Sequence, residues 1–239
     1  MFSLCIPTMD RFDFLKTYLQ EYIDNELIDE IIITDENGND IEKIKQFYPD
    51  NAKLMLVKNE NKLGPFLNKL KACKLAKNEW IALIDSDNFA NKDYFLVAQK
   101  YIHENIHNEK NIILAPCFAK PNFNYLQFSG IVLNKEYFKN NKNMQFHSTT
   151  LMNTGNYIIH KYLIDHLNIN NELNNISQSS SCDVIYFNTL LFEQFDLHLH
   201  VVPGLEYDHV VHDGSVYLNT HIQFKDFANI VHNRFYNLM

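Results

Sequence analysis

The sequence predicts an α/β protein built on a mostly parallel sheet with helices on both faces. Two features of the first half carry that reading. Short runs that are apolar at nearly every position alternate with longer stretches whose apolar residues recur at helical spacing, and the runs end in polar or acidic clusters. Strands covered on both faces read as continuous apolar runs, and ligands in such sheets gather at the carboxyl ends of the strands.

Phe2 to Ile6 is the first strand, closed by Pro7. Leu15, Tyr18, Leu19, Tyr22 and Ile23 then line one face of a helix. Glu30 to Thr34 is the second strand. It runs into the turn-rich Asp35-Glu36-Asn37-Gly38-Asn39-Asp40 and a short helix through Ile41, Ile44 and Phe47, stopped by Pro49. Lys53 to Val57 is the third strand. Gly64-Pro65 opens a helix carrying Phe66, Leu67, Leu70, Cys73 and Leu75, because proline at the first helical turn lacks only an N–H that would be unpaired there. Trp80 to Ile84 is the fourth strand and ends in Asp85-Ser86-Asp87-Asn88, after which Asn91 caps a helix through Phe95, Ala98 and Ile102. The clusters Pro7 to Arg11, Asp35 to Asn37 and Asp85 to Asp87 therefore share one rim.

The second half is less regular. Strands are expected at Ile112–Ala115, Gly130–Leu133, Tyr157–Ile159 and Leu197–Val202, and helices at Tyr162–Leu167, Cys182–Phe195 and Phe224–Leu238. Asn140–Asn143 and Asn168–Ser181 read as surface loops, and Asp208–Ser215 as a histidine-containing loop.

Composition narrows the function. The chain has 239 residues, 46% of them hydrophobic, enough for one large domain and too apolar for disorder. A net charge of -8 with no basic patch speaks against nucleic acid. With only Arg11 and Arg234 as arginines, a phosphate ligand must lean on a metal, lysines or backbone amides. The four cysteines form no CxxC pair, which excludes a zinc knuckle and fits a reduced cytoplasmic setting. No signal peptide and no membrane span is legible, leaving only peripheral attachment to the inner face of a membrane open.

Asp85-Ser86-Asp87 is the most telling cluster. Two carboxylates at i and i+2 directly after a buried strand need a compensating cation, and hard oxygens there suit Mg²⁺ or Mn²⁺ holding a diphosphate. The other reading is a solvated turn whose aspartates favour the positive end of the next helix.

SLCIPTMDR, the second strand ending in TDENGND, and the segment NENKLGPFLNKLKACKLAKNEWIALIDSDN, in that order, resemble the GT-A-fold glycosyltransferases of family 2. The likeness covers residues 2–100 well and 150–220 more loosely. It implies a GT-A (Rossmann-like) fold in a single domain, 1–239, with a nucleotide-sugar half at 1–115 and a less regular acceptor-side half at 116–239. Pro7 and Thr8 would sit beside a uridine, with Arg11 near the base or diphosphate. Asp35 would accept the N3 hydrogen of uracil, and Glu36 stands where the family commonly has a second aspartate. Asn61 and Gly64 would form its N-x-G segment, here with two residues between them. Lys69 would offer charge to the phosphates. Asp85 would lie near the ribose or metal, followed by Ser86, and Asp87 would be the main metal ligand. The implied cofactor is Mn²⁺ or Mg²⁺, and the implied partners are a nucleotide sugar (a UDP-sugar) and a glycan or lipid-linked glycan acceptor.

In the second half, Asp183 stands where inverting members carry their catalytic base, although Cys182 replaces the usual acidic neighbour. His212, followed by Gly214-Ser215, matches a late histidine of the metal or diphosphate side better than His209 does. Gly155-Asn156 resembles a segment lining the acceptor side. The implied reaction is an inverting, metal-dependent sugar transfer with Asp183 as general base. One rival is a sugar-phosphate nucleotidyltransferase, but IPTMDRFDF lacks the glycine-rich basic loop normal there. Another is a GT-A domain that only binds a nucleotide or glycan, against which Asp183 and His212 stand.

Overall fold

The most apolar runs form the centre of the sheet. In the computed structural model, which describes residues 1–215, 218 and 220–238 (backbone alone at 145 and 146), β1 (Phe2–Thr8), β2 (Ile28–Asp35), β3 (Leu54–Lys58) and β4 (Trp80–Leu83) are parallel and lie in the order β3-β2-β1-β4. They are linked by α1 (Phe12–Asp24), α2 (Asn39–Phe47) and α3 (Pro65–Leu75). The chain moves outward from β1 to β3 and then returns to the other side of β1, so a crevice opens at the carboxyl ends of β1 and β4. Gly64 enters α3 at φ +80°, a conformation that an L side chain rarely adopts. The Asn91 side chain accepts the Tyr94 N–H and caps α4 (Lys92–Asn105).

The second half contributes β5 (Ile112–Lys120), β6 (Phe123–Asn124), β7 (Val132–Leu133), α5 (Lys135–Asn140), α6 (Gln145–Met152), β8 (Ile158–His160), α7 (Lys161–His166), α8 (Asp183–Gln194), β9 (His198–Asp208) and α9 (Lys225–Tyr236). All nine strands join one sheet, ordered β3-β2-β1-β4-β8-β5-β9-β7 with β6 beside β5; β8 is antiparallel to both its neighbours, and β5 and β9 are parallel. The fold is thus the expected mostly parallel sheet flanked by helices. No helix among the described residues is long and apolar enough to cross a membrane, and all four cysteines are buried free thiols.

Three expectations need correction. β5 and β9 do not stop at Ala115 and Val202 but continue through Pro116 and Pro203 to Lys120 and Asp208. The β5–β9 register shifts between Pro116 and Phe118, a bulge that absorbs the missing proline N–H and lets pairing resume. Helices α5 and α6, on either side of the stretch expected as the Asn140–Asn143 loop, are elements that the sequence did not predict. Asn168–Ser181 is not a free surface loop, because Glu172 and Ile176 within it are buried. The Glu172 carboxylate accepts from Arg234 Nη1 and Nη2 at 3.0 and 2.9 Å and from the Tyr186 hydroxyl, while Arg234 Nε also donates to Glu193 at 2.6 Å. This network ties the segment to α8 and α9.

The Arg234 hydrogen bonds pull the Glu172 carboxyl down from its ordinary 4.5 to about 2, against the opposing effect of burial. As pH falls, the unfolded chain takes up this proton first. The stabilisation is therefore complete above about pH 4.5 and disappears on acidification toward about pH 2. Glu172→Gln should cost about 1.5–3 kcal/mol at neutral pH, and its melting temperature should converge on the parent's across that acid window. A gap that stayed constant with pH would refute the assignment.

Candidate active site

The rim is built on carboxylates that hold backbone. Asp35, the last residue of β2, is fully buried; its Oδ1 accepts the Asn37 N–H at 3.2 Å, and its Oδ2 accepts the N–H groups of Asp40 and Ile41 at 2.9 and 3.1 Å. It braces the start of α2 and does not line the cleft, which corrects its expected contact with uracil. Successive side chains in an extended strand point to opposite sides, and the neighbouring Glu36 faces the cleft instead. Glu36 Oε2 accepts the Leu63 N–H at 2.7 Å, while Oε1 is buried with no partner among the described residues. Asp40, which sequence reasoning left as a loop residue, is also fully buried. It accepts the Thr8 hydroxyl and the N–H groups of Arg11 and Phe12, holding the β1–α1 turn by the first turn of its helix. Its only sequence signal was an acidic residue close after Asp35.

The carboxyl end of β4 meets the second half through ions. Lys69 Nζ, on α3, lies 2.9 Å from Asp85 Oδ1 and 2.7 Å from Asp183 Oδ2, at the first turn of α8. Burial disfavours the Lys69 charge, but the two carboxylates overcome this and raise its pKa well above the ordinary value. Burial, with the charges of Asp87 and Asp183 nearby, pushes the Asp85 carboxyl upward despite Lys69. Lys69 was expected to serve the phosphates; here it is committed to bridging two aspartates. The Asp85 N–H donates to Asn156 Oδ1 at 2.8 Å, so Gly155-Asn156 fixes the rim rather than forming its wall.

Asp87 faces a different set. Its Oδ2 is 2.9 Å from His212 Nε2 and 3.8 Å from Arg11 Nε. His212 Nδ1 accepts the Gly214 N–H at 3.1 Å, so its Nε2 carries the proton and donates to Asp87. Backbone bonds of 2.8 and 2.9 Å between Phe89 and Asp208 staple the aspartate loop to the end of β9, and the Val210 N–H donates to Asn88. That staple brings the 209–215 loop to Asp87. His209 instead contacts Asn122 at 2.9 Å.

These groups surround a cavity of about 720 Å³. Pro7, Thr8, Arg11, Gly64, Ser86 and Asp183 lie on its wall with Glu36, Lys69, Asp85 and Asp87; Asn61 is exposed and does not. The opposite wall is rich in hydroxyls, with Thr149, Thr150, Ser180, Ser181 and Tyr236. Glu36, Asp85, Asp87 and Asp183 on the wall face Arg11, Lys62 and Lys69, which leaves a surplus of one negative charge. Asp87, with Asp85 behind it, offers the hard oxygens that a divalent cation takes when diphosphate oxygens and water complete its shell. The donor set fits such an ion.

Residues 3–167 match the sequence profile of glycosyl transferase family 2. The chain belongs to that family. Family 2 membership agrees with the architecture: S. aureus TarS 1–349 in complex with UDP-GlcNAc is similar at 14% identity and TM-score 0.68, over 98% of this chain and 66% of that one. The mannosyltransferase PcManGT from Pyrobaculum calidifontis, in complex with GDP-Man and Mn²⁺, is similar at 13% identity and TM-score 0.59, over 99% and 69%. An uncharacterized glycosyltransferase, MG060, of Mycoplasma genitalium is 28% identical over 107 residues, 41% of this chain and 36% of the relative. The family 2 chain thus spans about a third of that curated relative and just under two thirds of the TarS 1–349 structure.

Asp35→Ala strips the acceptor from three backbone N–H groups, each worth about 1–3 kcal/mol when buried and unpaired. Urea unfolding should therefore report a loss of roughly 3 kcal/mol or more. Unchanged stability with weakened nucleotide binding would return Asp35 to the ligand.

Proposed function

We propose that the chain transfers a sugar from a nucleotide sugar, a UDP-sugar, to a hydroxyl of a glycan or lipid-linked glycan, inverting the anomeric centre in one displacement with Mn²⁺ or Mg²⁺ bound. The observation that carries this reading is Asp183 on the cleft wall, joined through Lys69 to Asp85 across the two halves. Of the other acids near the end of β9, Glu206 is paired with Lys120.

Asp183 takes the proton from the acceptor hydroxyl as that oxygen attacks. Lys69 Nζ, 2.7 Å away, and the first turn of α8 fix the position of its carboxylate. Glu36 Oε1, the buried oxygen without a partner, accepts a base N–H. Uracil N3 carries that hydrogen and cytosine N3 does not. Arg11 lies beside Asp87 and is within reach of the diphosphate side. A divalent cation at Asp87 and Asp85, when bound, supplies positive charge against the departing diphosphate. Similar folds that hold UDP-GlcNAc, and GDP-Man with Mn²⁺, support a nucleotide-sugar donor.

The first test is Asp183→Asn, which keeps the shape but cannot take the proton. Transfer measured by nucleotide release with acceptor should fall about 10²–10⁴-fold while UDP affinity stays near the parent value. Transfer above roughly a tenth of the parent rate would assign the base elsewhere.

The second test concerns the base and the metal. Glu36→Gln should weaken UDP by roughly 1.5–3 kcal/mol and narrow the preference over CDP, and Asp87→Ala should abolish the Mn²⁺ dependence of UDP binding in calorimetry. Equal affinity of the parent for UDP and CDP would sink the base assignment.

A further inference from the structure

A second group of metal-ligand side chains lies outside the cleft. Glu109, His198 and His200 each offer one ligand atom, and these atoms lie within 4.8 Å of one another, the one such triple among the described residues. His198 and His200 are two apart on β9 and so share a face of the sheet. Glu109 comes from the connection between α4 and β5, with an oxygen 4.0 Å from His198 Nδ1. Strand pairing puts His198 beside Ile112, at the level of Trp80, five residues before Asp85. At about 3.3 Å per residue, the triple sits roughly 16 Å along the strands from the rim, at the amino end of the sheet.

His200 is the decisive residue. It is only 8% exposed, and its Nε2 is buried with no hydrogen-bond partner among the described residues. A buried imidazole nitrogen left unpaired is costly, so its retention calls for a ligand. The other nitrogen, Nδ1, is 3.0 Å from the Tyr101 hydroxyl on α4. Such an outer contact fixes the tautomer and orients a metal-binding imidazole.

We propose that Glu109, His198 and His200 bind a Zn²⁺ ion, with water as the fourth ligand, that pins the α4–β5 connection to β9. Two imidazoles and a carboxylate are donors that suit zinc. Tetrahedral bonds of about 2.0–2.1 Å require the ligand atoms to close to roughly 3.3 Å. Glu109 makes that movement, since its side chain is 53% exposed. The adjacent Lys110 is turned over the Tyr162 ring and does not compete for the acid. This site needs neither the nucleotide nor the transfer reaction, so it stands or falls apart from the proposed function.

The test uses the full chain without a polyhistidine tag, stripped of metal, in an Asp87→Ala background that removes the rim as a competing site. Co²⁺ should give the intense visible bands of tetrahedral coordination, and Zn²⁺ should displace it. Zn²⁺ at a hundredfold excess over its dissociation constant should raise Tm by about 5–10 °C. His198→Asn or Glu109→Gln, both at partly exposed side chains, should weaken Zn²⁺ at least tenfold, and Tyr101→Phe by about 10–100-fold. Absent Co²⁺ bands, or Zn²⁺ affinity unchanged in His198→Asn and Glu109→Gln, would overturn the proposal.

Discussion

Three aspartates crowd one cleft, and their repulsion is the constraint around which the molecule is arranged. Asp85 and Asp87 follow β4, and Asp183 opens α8, nearly a hundred residues later. Lys69 lies between Asp85 and Asp183 and is largely shielded from water. Two opposite charges in such surroundings attract strongly, yet stripping them of solvent consumes much of the gain. The arrangement therefore specifies geometry more than it stabilises. It fixes how the first and second halves of the chain meet, leaving Asp87 turned away toward Arg11 and His212.

The same economy operates one layer further out. Asp35 and Asp40 use their carboxylates on backbone N–H groups at the ends of β2 and β1, so the turns beside the cleft are held by fully buried anions. Those bonds let the loops stay irregular without leaving polar groups unpaired. They also explain why an acidic cluster at a strand end does not translate directly into ligand contacts: one acid braces the turn, and its neighbour faces the cavity.

Much of this was legible in the sequence. Apolar runs at Phe2–Ile6, Glu30–Thr34 and Trp80–Ile84 became central strands because nothing else can bury them, and Asp85 and Asp183 fall on the cleft. What escaped was decided by distant contacts. Pro116 and Pro203 signalled strand ends, but a bulge let both strands run on. Asp35 and Glu36 are adjacent acids, and only the twist of the chain into α2 assigns their roles. Glu172 sat in a polar stretch that looked solvated until Arg234, 62 positions away, reached it. Composition carries no trace of such pairings.

The position of β9 has a consequence for how the chain comes to be folded. It is the last strand in sequence yet lies inside the sheet, between β5 and β7, and its pairing with β5 is the longest in the second half. During synthesis β1 to β4 can assemble early, but β5 presents an unpaired apolar edge until β9 leaves the ribosome. At about 5–20 residues per second, that edge stays open for several seconds, long enough to meet another chain. That edge needs protection during synthesis, and the bulge at Pro116 interrupts the very surface a neighbouring strand would seek.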